Sequence, residues 1–132
     1  MKINVVVITG KVHKVESRDT NSGNVAEIRF RQTFPKADSP EPGNPDHWRS
    51  EWFSAECWDK TAEYAQNVNS GDTICVEGRL AHREWNDKAS GDRREKYVIK
   101  AHRVHVVKTG SQGAHAGREV SEAAPSRNNV PF

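Results

Sequence analysis

Apolar and polar positions alternate with a period of two through most of this chain, and the alternation breaks only at stretches rich in turn-forming residues. Residues 3–15, INVVVITGKVHKV, form the first run. Ile3, Val5 and Val7 share one face and Val6 and Ile8 the other, so neither face suits water. One face can fill a core and the other can meet a neighbouring subunit. RDTNSGN at 18–24 is turn chemistry with Asn21, Ser22 and Gly23 as its tip. A second run, 25–34, places Ile28 and Phe30 inward and Glu27, Arg29 and Arg31 outward. Residues 35–50 hold four of the six prolines, which predicts a long loop.

A third strand is predicted over 51–58. Beyond it the period lengthens: Asp59 is placed as an N-cap, Ala62, Ala65 and Val68 form a narrow apolar stripe, and Gly71 ends a short helix. Residues 73–85 return to strand, with Ile74, Val76, Gly78 and Leu80 on one face. A polar loop at 86–94 and a fifth strand at 95–107 follow. The expectation is an all-β domain over 1–107 and a flexible C-terminal tail over 108–132, whose Gly, Ser, Ala and polar residues cannot support a core. Five strands with one short helix between the third and fourth is the order of an OB-fold, a Greek-key barrel that accommodates oligonucleotides or oligosaccharides. The fold alone does not choose the ligand.

The third strand, EWFSAECWDK at 51–60, narrows the choice. Phe53, Ala55 and Cys57 make a compact apolar face, while Trp52, Ser54, Glu56 and Trp58 share the other. Two large flat rings beside a serine and a carboxylate are a poor recipe for burial. Rings facing outward suit the stacking of unpaired bases, since every base has a π-face, and each stacked base is worth roughly 1–3 kcal/mol.

Composition removes other classes. No apolar run approaches the ~20 residues of a membrane span, and the N-terminus shows no signal-peptide cleavage pattern, so a cytoplasmic protein without membrane association is expected. Cys57 and Cys75 have no metal-ligand spacing, and His102 and His105 point to opposite faces of a strand, so neither a metal nor a cofactor is called for. Asp46 and His47 are adjacent but lack a positioned third partner, and no nucleophile elbow or phosphate-binding Gly-rich loop is present, which argues against an enzyme. A net charge of +2 lends little support to nucleic-acid binding, so the case rests on where the cations lie.

EWFSAECWDKTAEYA, SGDTICVEGRL, REWNDKASGDRREKYVI and the terminal VPF together resemble the bacterial single-stranded DNA-binding protein family over residues 3–107 and the last few positions. The resemblance implies an OB-fold assembled as a homotetramer, associated with the nucleoid, that protects single-stranded DNA in replication, recombination and repair. It places aromatic stacking residues at Trp52, Trp58 and Trp85, with Trp58 where a phenylalanine is common. Trp48 in the Pro-rich loop and Phe34 at the strand end beside it are further stacking candidates. For phosphate contacts the candidates are Arg29 and Arg31 on the second strand, Arg49 beside Trp48, and Lys88, Arg93 and Arg94 in the 86–94 loop.

Family tails put several aspartates before a hydrophobic tip that docks replication and repair proteins. Here SRNN precedes Val130, Pro131 and Phe132, and Lys108, Arg118 and Arg127 outnumber Glu119 and Glu122. A weaker or different set of partners is expected. Two other binding modules fit the same domain, an OB-fold for RNA and a primosome-type accessory protein; the VPF end argues against the tailless second case.

Overall fold

A computed structural model describes residues 1–110, in which five strands close into a barrel. The strands are β1 (Val6–Thr20), β2 (Gly23–Pro35), β3 (Trp48–Trp58), β4 (Thr73–Asn86) and β5 (Arg93–Lys108), and helix α1 (Asp59–Ala65) lies between β3 and β4. Around the barrel the order is β1-β2-β3-β5-β4, with β4 hydrogen-bonded back to β1. All neighbours are antiparallel except β3 and β5, whose short parallel contact from Ala55↔Ile99 to Cys57↔Ala101 closes the ring. The OB-fold expected from element order is the fold observed.

Closure depends on β1 serving two partners. Its first half, Val6–Lys11, pairs with β4, and from Lys11 onward it pairs with β2. The strand must bend sharply where it changes partner. Gly10 allows this, since a Cβ there would lie 2.6 Å from the Phe30 ring and 2.7 Å from the Arg31 carbonyl oxygen. Register shifts between Val12 and Lys14 in β1 and between Glu77 and Gly78 in β4 add further curvature.

The second shift overturns one expectation. Ile74, Val76 and Gly78 are buried as predicted, but beyond the point where β5 inserts an extra residue, His102, the inward set does not continue: Ala81 is buried and Leu80 is 44% exposed. Strand limits move as well: β1 starts at Val6 and runs to Thr20, beyond the predicted 3–15. Asn4 extends its pairing by side chain, donating to the Leu80 carbonyl and accepting from the Leu80 N–H, both at 2.8 Å. Val6 and Ile8 pack on the core, whereas Ile3, Val5 and Val7 stay exposed on the opposite face.

The barrel is filled by Val12, Ile28, Phe30, Ala55, Cys57, Ile74, Val76, Ile99 and Val104, and α1 covers one end with Ala62 and Ala65. Asp59 is not the N-cap. β3 stays paired to its last residue, Trp58↔Val25, which leaves no room for a capping turn. Trp58 takes the cap position without a side-chain bond, and Asp59 makes the corner at φ 51°, in the left-handed region that Asp tolerates better than most residues. The helix also stops at Ala65. Val68 is buried in the tighter turns that follow, with its N–H on the Ala65 carbonyl at 3.0 Å. Asp72, 3% exposed, ties this corner to the end of β5 by accepting from the Asn69 and Gly110 N–H groups, each at 2.9 Å.

Candidate nucleic-acid interface

One outward face of the β2–β3 pair carries Trp52. Its ring is 42% exposed and sits directly opposite Arg31, one of the eleven-residue ladder that zips β2 to β3. The Arg29 and Arg31 guanidinium groups approach the indole to 5.2 and 5.5 Å, and His13 meets it edge-on at 5.4 Å. Neither arginine forms an ion pair with a carboxylate among the described residues. Alternation along β2 and β3 puts ring and cations on the same side, as the sequence pattern predicts.

Six residues on, Trp58 lies on the same face in a different electrostatic setting. Its indole N–H donates to Glu56 Oε1 at 2.9 Å. The same carboxylate accepts from Arg83 Nε at 3.1 Å and from Arg83 NH2 at 2.5 Å. The Arg83 bond holds the Glu56 carboxyl below its ordinary range, with Trp58 assisting and burial opposing. Glu56 also sits directly opposite Glu27 in the ladder, and Lys96 from β5 neutralises Glu27 at 3.3 Å. Glu27, Glu56, Arg83 and Lys96, with Arg18 and Trp85, line a groove of about 310 Å³. Trp85, 45% exposed, stands on β4 opposite Arg94 of β5.

Of the remaining candidates, Trp48, Arg49, Arg93 and Arg94 are placed differently from expectation. Trp48 and Arg49 were assigned to the Pro-rich loop, but the β2–β3 ladder continues to Pro35↔Trp48, so both begin β3. A proline at the very end of a strand costs the ladder nothing, which is why it does not stop β2 early. The Trp48 indole donates to the Glu41 carbonyl at 2.9 Å, and Arg49 lies 4.8 Å above the Phe34 ring while pairing with Glu51 at 2.6 Å. Arg93 and Arg94 likewise stand on β5 instead of in the loop. Arg93 pairs with Glu84, and Arg94 Nε lies 3.4 Å from Asp87. Lys88 alone of that group sits in the loop and is exposed, and no described residue pairs with it. Val130, Pro131 and Phe132 lie outside the described residues.

Several groups escaped the sequence reading. Arg83 is two residues before Trp85, so period-two alternation puts both on one face and could have nominated it. His13 and Arg18 reach the interface through the β1–β2 pairing and Lys96 through the β3–β5 closure, and tertiary approach of this kind leaves no local signal. The thiols offer no chemistry here: both cysteines are buried and unpaired, and burial with the Glu56 charge pushes Cys57 up to about 12. Asp46 and His47 form part of a 3₁₀ turn in which His47 Nδ1 accepts from the Glu41 N–H at 3.1 Å. His82, Glu84 and Glu95 form an exposed cluster on the β4–β5 pair, where His82 Nε2 lies 2.6 Å from Glu95, and Arg93 already engages Glu84.

Comparison with known proteins identifies a family and a fold. The model of the Single-strand binding protein family matches residues 3–107. The "Single-stranded DNA-binding protein 1" of Synechocystis sp. is 31% identical over 133 residues, covering 99% of this chain and 98% of that one. The protein of the same description from Nostoc sp. is 32% identical over 108 residues, covering 81% and 85%. The crystal structure of a small single-stranded DNA-binding protein from Streptomyces coelicolor superposes with a TM-score of 0.58 at 21% identity, over 80% of this chain and 95% of that one. That likeness concerns the fold.

Proposed function

The chain belongs to the single-strand binding protein family, and from that membership we propose that it binds single-stranded DNA with little sequence preference. Bases stack on Trp52, Trp58 and Trp85, with Trp48 and Phe34 extending the track, and phosphates meet Arg29, Arg31, Arg49, Lys88, Arg93 and Arg94. The observation that carries this reading is Trp52: a half-exposed indole flanked by two arginines that no carboxylate among the described residues neutralises. An aromatic ring between free cations is what a strand of bases joined by phosphates requires. Catalysis is no part of the proposal, because the His47 ring is held in a structural turn and the Cys57 thiol stays protonated.

The same reading gives residues 1–107 the role of DNA-binding domain and 108–132 that of a tail whose Val130-Pro131-Phe132 end docks replication and repair proteins. It makes the exposed Ile3, Val5 and Val7 face the contact between copies in a homotetramer. It places the protein in the cytoplasm, on the nucleoid. Among the described residues no helix is long and apolar enough to cross a membrane.

Titration with poly-dT, monitored by tryptophan quenching at several salt concentrations and paired with light scattering, tests the proposal. Tight, salt-dependent binding by an oligomer is the expected result. Equal or better binding of matched RNA would favour the RNA-binding OB module instead.

A further inference from the structure

The two tryptophans of β3 stand on one face, yet their surroundings differ in kind. Around Trp52 the cations have no carboxylate partner among the described residues. Around Trp58 the Arg83 guanidinium is paired: Nε and NH2 go to Glu56, and NH1 donates to the His82 carbonyl at 3.3 Å. The carboxylate it grips with two of its nitrogens balances its charge, so it offers a phosphate two spare N–H groups but no uncompensated positive charge. Glu56 also holds the indole N–H of Trp58, and a ring tethered by its N–H cannot swing freely about its own side-chain bonds. A carboxylate in the middle of a DNA-binding face would otherwise only repel the strand. Its cross-strand neighbour Glu27 is balanced in the same way by Lys96, so the Trp58 end of the face is close to charge-neutral.

We propose that Glu56 is a positioning residue for DNA binding, one that holds Arg83 back from the phosphates and fixes the Trp58 ring as a stacking platform. The interface is thereby zoned. Its Trp52 end grips the backbone, and its Trp58 end receives bases with little exchange of counterions. This inference rests on the single-stranded DNA reading and adds a division of labour to it.

The test uses the full chain as wild type, Glu56→Gln, Glu56→Asp and the double variant Glu56→Gln/Arg83→Gln. Affinity for oligo-dT is measured by anisotropy of a labelled strand across a salt series, and the Trp58 indole N–H is followed by NMR, assigned with Trp58→Phe. Glu56→Gln releases one cation, so the slope of log affinity against log salt should steepen by about 0.7. The double variant should return to the wild-type slope. Glu56→Asp keeps the charge but shortens the reach, so it should keep the slope while the indole N–H shifts and exchanges faster with solvent. An unchanged slope in Glu56→Gln, an equal slope in Glu56→Gln and the double variant, or an indole signal indifferent to all three changes would overturn the proposal. Absence of dT binding by the wild-type chain would instead sink the parent reading, and the indole signal would then decide the positioning of Trp58 alone.

Discussion

Replacing Trp52 by alanine separates what the ring does for the fold from what it does for DNA. In the free protein Trp52 is 42% exposed, outside the buried core set, with Arg29, Arg31 and His13 against its ring. Each exposed cation–π contact is worth about 0.5–1 kcal/mol, so the folded state should lose roughly 1–2 kcal/mol and remain folded. Against DNA the loss is one stacking platform, about 1–3 kcal/mol, which at 1.4 kcal/mol per tenfold weakens binding about 5- to 140-fold. An opposing effect must be kept apart: without the ring, both arginines are freer to seek phosphates. That gain shrinks as salt rises whereas stacking does not, so the comparison belongs at the highest salt where wild-type binding is still measurable. Anisotropy of a labelled dT oligonucleotide provides the readout, since it does not depend on the number of tryptophans left. Trp52→Phe, which keeps a π-face, should recover most of the loss. A folded Trp52→Ala protein that binds within twofold of wild type at high salt would refute the stacking role.

Other consequences follow from the same geometry. Neutralising Arg29 or Arg31 should flatten the salt slope by about 0.7 each, whereas Arg93→Gln or Arg94→Gln should flatten it less, because Glu84 and Asp87 already occupy those cations; equal flattening at all four would contradict the zoning. Gly78→Ala drives a methyl into the Lys100 carbonyl oxygen and should cost about 1–3 kcal/mol in urea unfolding. Gly43→Ala, with nothing within 4 Å, should stay within about 0.5 kcal/mol of wild type. The Glu56 pKa is lowered in the folded state, so its contribution is fully present above the unfolded value near 4.5 and disappears as pH falls through the folded one. Wild type should therefore lose more stability than Glu56→Gln on acidification below about pH 5, measured by thermal unfolding; parallel losses would remove Glu56 as a source of acid sensitivity.

How much of this was legible in the residues follows from the range of the forces involved. Alternation is local, and it located the strands, the inward set around Ile28, Phe30 and Ala55, and the outward pair Trp52 and Trp58. What it could not show are the points where the chain departs from a regular ladder. Beyond the extra β5 residue His102, which faces the step from Glu77 to Gly78, Leu80 is exposed and Ala81 buried. The corner at Asp59 exists because β3 remains paired with β2 up to Trp58, a long-range constraint that no capping rule contains. The loops came out too long for a related reason: prolines and charges mark Pro35, Arg93 and Arg94 as loop-like, yet hairpin partners on the facing strands extend the ladders over them. The cation candidates were found as residue types, but their pairing was not. Arg83 and Glu56 are 27 residues apart and meet only through the closed barrel.

That pairing changes what the net charge of +2 means. A small sum would ordinarily speak against binding a polyanion, since attraction at a distance follows the total field. At contact, the strand meets local charge, screened beyond about 10 Å at ordinary salt. Carboxylates in this chain are spent on particular cations: Glu51 on Arg49, Glu56 on Arg83, Glu84 on Arg93, Asp87 on Arg94 and Glu27 on Lys96. What they leave uncovered is not spread evenly but includes Arg29 and Arg31 on either side of Trp52. The acidic residues thus act by subtraction, neutralising cations elsewhere on the interface and leaving two uncompensated ones beside an exposed ring. Exchanging the partners of one such pair, as in Glu56→Lys/Arg83→Glu, should leave the sum at +2 and the slope close to wild type. Moving a single carboxylate beside Trp52, as in Ser54→Glu, lowers the sum by only one yet should cost far more affinity than the change in net charge would suggest. If affinity instead follows the sum alone, regardless of position, charge placement is not what makes this face bind.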